Sequence, residues 1–366
     1  SGTTDRQLEH QAFTYDQALS CLLFAWQKPL DQGNLKPLLS RLQQFWNRSL
    51  PERGVKGLAN AYNAATGTIG VEQLRHAGPQ AWIGQCLTAI AALEQPEFAP
   101  FATEIAELLS GYPHYGGAVA MSDRDSPDFS WSATISTENN ISWAALVRAM
   151  VRQHAAGELR LSPQLLAKLQ AEATNLKRWF ATTAYNPKTG QLLRGVREFG
   201  HTPDPIEASD LYTWLGLTYG FTELREMGMD PLQLTEHFIK TFVVDIDGYL
   251  GVDFTDATHA RTSGRDRAIF LEQTFIGAAF LAQAYQDSGN VRYRDLATRM
   301  VQGMDRLAVE QEGQRAYPYS YAGGATPYRA IPTGHGWNTP ASGGTPVQVG
   351  RTWTLVGLKN GGQIGA

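Results

Sequence analysis

Glu138, Asp210 and Glu272 open segments of one style, each a polar start followed by a run rich in alanine, glycine, leucine and aromatic residues. Asp16 stands in the same way near the beginning of the chain, and Glu207 lies just upstream of Asp210. Two carboxyls that share a site can divide acid and base work, because unlike surroundings leave one protonated and the other ionised. Glu138 leads as the general acid. Asp210 is the candidate base, with Glu207 as its alternative and Glu272 as a fourth catalytic candidate. A structural reading accounts for each equally well. An acid in the first turn of a helix is favoured electrostatically, with Thr137 or Ser209 as the cap. Glu272 can pair with an arginine of Arg265-Asp266-Arg267, and Asp16 can be a cap rather than a holder of a substrate hydroxyl.

Around these acids lie residues suited to polar ring-shaped ligands. The stretch before Glu138 carries Tyr112, His114, Tyr115 and Trp131; Asn139 and Asn140 follow it, and Trp143 stands one turn further along. Gly195 to Ser209 is a dense polar loop holding His201, and Trp214 lies one turn beyond Asp210. The segments with Tyr317, Tyr319 and Tyr321, and then His335 and Trp337, alternate aromatic, glycine and histidine residues. Such a mixture offers stacking faces and hydrogen bonds together. It serves equally as hydrophobic plugs beneath long loops. His335 could also move protons.

Other chemistries find little support. The eight histidines show no paired metal-ligand spacing, and Cys21 and Cys86 are far apart, so neither a metal nor a cofactor is expected. Asp245-Ile246-Asp247-Gly248 with Asp253 and Asp256 only partly matches a calcium loop, lacking its closing glutamate. Phosphate-cradling loops, a serine nucleophile elbow and a dinucleotide fingerprint are missing. A net charge of -4 is at odds with a nucleic-acid surface. With 43% hydrophobic and 18% charged residues the chain can bury a core, and its apolar runs are too short to span a membrane. Both cysteines are expected as buried thiols. Ser1-Gly2 reads as the remnant of a cleaved tag, with residues 1–10 a flexible start.

The elements that must position these residues repeat. Tyr15 to Leu19, Gln80 to Gly84, Glu138 to Trp143, Ser209 to Trp214, Leu271 to Phe275 and Gly350 to Trp353 recur at roughly 60 to 75 residues. Small residues on several faces mark helices packed nearly all round, an inner layer. Between them, Leu35–Trp46, Phe98–Leu109, Ser162–Phe180, Leu232–Phe242 and Val291–Leu307 show one apolar stripe and one charged face, an outer layer. Ser162-Pro163 supplies a cap and a first-turn proline. Links from inner to outer helices are short. The return links are long and turn-rich, and all end at inner-helix starts, which gathers the candidates on one face. Strand signals are few, chiefly a hairpin over residues 243–250. The expectation is a mostly α, single domain over residues 1–366: six helical hairpins closed into a toroid, with long loops and a few short strands on one face.

Tyr15-Asp16-Gln17-Ala18-Leu19, Asn60-Ala61-Tyr62 with Gly67, Thr137-Glu138-Asn139-Asn140, Asp210 with Trp214, Glu272-Gln273-Thr274 and Trp353 resemble the six-hairpin glycosidase-like superfamily of (α/α)6 toroids. The likeness spans nearly the whole chain and is one of style and spacing, with no family within the superfamily singled out. It implies a sugar bound at the inner-helix N-terminal face. On that basis the expected activity is a glycoside hydrolase that cleaves a bacterial polysaccharide or oligosaccharide with inversion. That mechanism needs an acid and a base roughly 6.5–9.5 Å apart. Polysaccharide lyase, sugar epimerase and a non-catalytic polysaccharide-binding or assembly subunit are the alternatives. The implied substrate class points to the periplasm or the outside of the cell, although no signal peptide is seen and the cytoplasm stays open. The expected partner is a carbohydrate, and the expected state a monomer.

Overall fold

The structure, a computed structural model, describes residues 10–26, 32–49, 56–70, 73–92, 96–123, 129–311, 314–333 and 339. The sixth inner segment, Gly350 to Trp353, and the candidates His335 and Trp337 lie outside the described residues, as do residues 1–9. The described residues form two compact units, one comprising Glu9–Ala184 with Gly195–Asp204, the other Tyr185–Arg194 with Pro205–Ala366.

In the first unit, three helices of the small-residue style form the inner layer: α1 (Thr14–Trp26), α3 (Ala77–Ala92) and α5 (Thr137–Ala156). α3 packs against both α1 and α5. Each inner helix is followed by an outer partner packed on it: α2 (Gln32–Ser49), α4 (Ala99–Ser110) and α6 (Pro163–Trp179). Burial separates the two classes. α3 buries Ala81, Trp82, Ile83, Gly84, Cys86 and Leu87 in near succession, whereas α6 buries Leu165, Leu169, Leu176 and Trp179 along one stripe. Small residues let the inner helices approach: a methyl on Gly84 would come within 2.5 Å of the Leu146 side chain of α5. Cys21 of α1 and Cys86 of α3 are buried free thiols, as expected.

The long return links carry short strand pairs. β1 (Gln11–Phe13) pairs with β2 (Ala61–Asn63) and β3 (His114–Tyr115) with β4 (Ala118–Val119). β5 (Ile135–Ser136), β6 (Gly195–Arg197) and β7 (Thr202–Asp204) form a three-stranded antiparallel sheet. The polar stretch read as a loop from Gly195 onward is therefore partly strand. Its charges turn on each other, with Arg197 Nη2 2.8 Å from Asp204 Oδ2 and the Thr202 hydroxyl donating to Glu198. At α5 the cap is Ser136 rather than Thr137. Ser136 has extended backbone, and its hydroxyl accepts from the Asn139 N–H at 3.2 Å. Ser162 caps α6 ahead of Pro163 as its sequence indicated.

In the second unit the inner helices are α7 (Ser209–Glu226) and α9 (Leu271–Ser288), packed against each other. Their outer partners are α8 (Pro231–Phe242) and α10 (Val291–Leu307). α9 is buried almost without interruption from Leu271 to Ala282, while α10 buries Tyr293, Ala297, Met300, Val301, Met304 and Leu307 on one side. A side chain at Gly216 of α7 would collide with the Phe280 ring of α9. The hairpin expected over residues 243–250 is β8 (Val243–Ile246) with β9 (Tyr249–Val252). Asp247 and Gly248 turn it with φ of 53° and 80°, the left-handed pair that suits a tight hairpin twist. β10 (Ile269–Phe270) pairs with β13 (Ser320–Tyr321) just ahead of α9, and β11 (Val309–Gln311) pairs with β12 (Gln314–Ala316).

Candidate active site

In the first unit, α3 and α5 each begin where a long link ends, and β1 leads directly into α1. Asp16 is in the first turn of α1, half-buried, and its backbone carbonyl accepts from Ser20 Oγ at 2.9 Å. Beside it the Tyr15 ring meets Trp82 of α3 edge-on, centroids 5.5 Å apart. Glu138 is half-buried in the first turn of α5. Its two asparagine neighbours behave differently. Asn140 is fully buried; its amide donates to the Val119 and Ser136 carbonyls and its oxygen accepts from Val119 N–H. That carboxamide braces β4 against α5, a framework role in place of the hydroxyl-holding one read from sequence. Asn139 is 5% exposed, and its amide nitrogen is buried without a hydrogen-bond partner among the described residues. Trp143 is wholly buried within the layer.

His76, just ahead of α3, has no counterpart in the sequence reading. Asn60 Oδ1 accepts from the His76 backbone N–H at 3.2 Å, which turns the Asn60 amide nitrogen toward His76 Nδ1 at 3.0 Å. Nδ1 is therefore the acceptor, and the ring proton sits on Nε2. Burial pushes the imidazole down to about 4, so it is neutral near pH 7. Trp131 meets this ring edge-on, centroids 5.3 Å apart. The only sequence signal was a histidine directly before a small-residue helix. Tyr115 on β3 makes an edge contact with Phe199 at 5.6 Å, and His201 is exposed in the β6–β7 turn.

In the second unit, three of the four carboxyl candidates occur together. Asp210 is 3% exposed in the first turn of α7, and Glu272 is 4% exposed in the first turn of α9. Neither helix has a side-chain cap: the N-cap positions are Ala208 and Phe270, so Ser209 is not the cap its sequence suggested. Ser209 is fully buried instead, and its hydroxyl reaches Gln273 Oε1 of α9 at 3.5 Å. The residues next to Asp210 and to Glu272 thus meet, and the two acids start adjoining inner helices. The Tyr319 hydroxyl donates to Glu272 Oε2 at 2.8 Å, and Leu271 N–H bonds the Tyr319 carbonyl at 3.0 Å, which fixes that link against the start of α9. Trp214 lies one turn beyond Asp210, 8% exposed.

Glu207 is turned another way. Its Oε1 accepts from the Tyr212 hydroxyl and from His237 Nε2 at 2.7 Å, and the Tyr212 and His237 rings stack with centroids 5.4 Å apart. His237 belongs to α8, so the carboxylate faces its own hairpin's outer helix. Burial, then the charge and hydrogen bond of Glu207, raise the Tyr212 hydroxyl well above its usual range and keep it protonated as a donor. Glu207 therefore braces α7 on α8, which favours Asp210 over it for chemistry.

The arginines offered to Glu272 go elsewhere. Arg265 grips both oxygens of the wholly buried Asp253 at 2.7 and 2.9 Å, and Arg267 Nε adds a third bond at 2.8 Å. Thr255 and Ala268 N–H groups complete the set. This corrects the pairing read from sequence. It also gives Asp253, one of the aspartates compared with a calcium loop, a structural role. No group of three metal-ligating side chains occurs among the described residues. Nor is any described helix long and apolar enough to cross a membrane.

By sequence the chain matches no family model and no curated protein. Solved structures are similar over nearly its whole length. Cellobiose 2-epimerase from Bacillus thermoamylovorans is 12% identical, with 96% of this chain and 88% of that one covered and a TM-score of 0.66. A sugar epimerase from a ruminal bacterium is 12% identical, with coverage of 95% and 88% and a TM-score of 0.67. The family 76 α-mannanase of Bacteroides thetaiotaomicron is 10% identical, with coverage of 95% and 88% and a TM-score of 0.63. Likeness at such identities shows the fold alone. The fold is mostly α, the (α/α)6-toroid fold that these solved structures share.

Proposed function

We propose that this chain is a carbohydrate-processing enzyme, a glycoside hydrolase acting on a polysaccharide or oligosaccharide with Asp210 and Glu272 as its proton-handling pair. One observation carries the reading: two carboxyls more than nine-tenths buried start adjoining helices, tied through Ser209 and Gln273. Burying two acids side by side is costly unless their charge is managed, and such pairs do work that a solvated pair cannot. The Tyr319 hydroxyl donates to Glu272, and a hydrogen bond to a carboxylate supports the base role for it. Asp210 is then the acid, reversing its expected role. Water attacks the anomeric carbon and gives a proton to Glu272; Asp210 gives its proton to the leaving oxygen as the glycosidic bond breaks. The proposed substrate class points to the periplasm or the outside of the cell, with the cytoplasm left open, and the proposed working state is a monomer.

Epimerisation is the second reading, because a tyrosine hydroxyl bonded to a carboxylate also suits proton abstraction beside a carbonyl. A panel of glucans, mannans and uronans decides. Release of reducing ends supports hydrolysis, a new epimer by NMR supports epimerisation, and ultraviolet-absorbing unsaturated ends support a lyase. Asp210→Asn and Glu272→Gln should each lower turnover by at least about 10²-fold while sugar binding persists. Absence of turnover in the parent across the panel defeats the enzymatic reading in favour of a polysaccharide-binding subunit.

A further inference from the structure

Beyond Tyr319 the chain continues into a second aromatic group that the proposed chemistry does not use. Tyr321 meets Tyr249 of β9 edge-on at 5.2 Å and Tyr328 edge-on at 5.8 Å. Tyr328 is 40% exposed, one of the few large side chains so presented, and the Arg306 guanidinium backs Tyr249 at 5.2 Å from its centroid. The Tyr321 hydroxyl donates to Asp247 Oδ2 at 2.9 Å, which holds an exposed carboxylate at the β8–β9 tip beside the rings. This geometry is built rather than incidental. Gly323, at φ 69°, lies so close to the tip that a methyl there would come within 2.9 Å of both Asp247 Oδ2 and the Ile246 side chain. The loop closes on itself through Ala322 N–H to the Pro327 carbonyl at 2.9 Å, which sets Tyr328 in place. Tyr319 and Tyr321 sit two residues apart on one short segment, so the group is continuous with the Glu272 end of the unit.

We propose that Tyr328, buttressed by Tyr321 and Tyr249, and the Asp247 carboxylate form an outlying subsite for a neutral glycan chain. The inference rests on the carbohydrate reading above and extends it to the length and charge of the substrate. A sugar ring stacks its C–H face on an exposed tyrosine, while a rigid carboxylate accepts from its hydroxyls. Charge selects the neutral class. Asp247 is held beside the platform, Asp245 is balanced by Arg299 at 3.8 Å, and Arg329 turns back onto Thr326. Arg306, the further described arginine of the group, is engaged over the Tyr249 ring.

The test is calorimetric binding of the whole chain to the di-, tetra- and hexasaccharides of cellulose and of mannan, and to oligogalacturonates. In the parent, affinity for one neutral series should rise with chain length. Tyr328→Ala should weaken hexasaccharide binding by about 10-fold, as expected for loss of one stacked aromatic, and bring the hexasaccharide-to-disaccharide affinity ratio close to one. Tyr328→Trp should restore the length dependence. Equal affinity for all lengths in the parent, no binding of any neutral hexasaccharide, tighter binding of uronates, or an unaltered ratio in Tyr328→Ala overturns the subsite. A purely protein-binding role for the patch would appear as this last outcome. Length-dependent binding that Tyr328 controls, in a parent without turnover, would instead retain the subsite and overturn the hydrolase.

Discussion

Tyr319 Oη lies 2.8 Å from Glu272 Oε2, joining the link after α10 to the first turn of α9. A hydroxyl bonded to a buried carboxylate is worth about 1.5–3 kcal/mol where one partner is charged. Tyr319→Phe should therefore lower kcat by about 10- to 100-fold and shift the proposed base, the Glu272 carboxylate, toward protonation, moving the acidic limb of the pH–rate profile to higher pH. An unchanged profile would remove Glu272 from the base role.

Asp253 and its arginines make a separate prediction about stability. Arg265 is 6% exposed at its side chain and Asp253 not at all. Removing one partner strands a buried charge, so Arg265→Ala should cost about 3–5 kcal/mol in denaturant unfolding. A loss below about 1 kcal/mol would mean that Arg267 alone satisfies the carboxylate.

His114 predicts a pH dependence. Its Nε2 is 2.8 Å from Glu172 Oε1 and its Nδ1 2.7 Å from the Tyr112 carbonyl, so both ring nitrogens face acceptors. Burial is the largest influence and pushes the imidazole down, as does Lys168 more weakly. The hydrogen bond and charge of Glu172 together with the Tyr112 carbonyl outweigh them, and the folded value lies above 6.5. A raised folded value gives stability that is complete below the unfolded pKa and is lost as pH rises through the folded one. The melting-temperature gap between parent and His114→Gln should thus be widest near pH 5–6 and shrink in alkaline buffer. A gap that widens with pH contradicts the assigned protonation.

Gly216 and Gly220, on the same helix, separate packing from backbone strain. At Gly216 a methyl meets the Phe280 ring, whereas at Gly220 it meets nothing but φ is 71°. Gly216→Ala should destabilise by about 1–3 kcal/mol through overpacking, partly relieved by Phe280→Leu. Gly220→Ala should cost about 1–3 kcal/mol whatever residue stands at 280, because Gly220 is a kink at ψ 168° that only glycine adopts readily. If Phe280→Leu rescues both equally, the distinction fails.

Local patterning makes the layers legible in the sequence. Alanine and glycine around α3 and α9, against single stripes on α6 and α10, fixed which helices lie inside, because all-round burial needs small side chains and one-sided burial needs only a stripe. The turn chemistry of Asp247-Gly248 and the Ser162-Pro163 cap were equally readable, since each depends on a few neighbouring residues. Partner choice across distance was not. Ser209 serves Gln273 rather than its own helix start, Arg265 and Arg267 serve Asp253 rather than Glu272, Asn140 braces Val119, and His76 takes its tautomer from Asn60. Each link joins residues far apart in the chain. Spacing shows which groups could carry charge; only the folded backbone brings a donor within 3 Å of an acceptor.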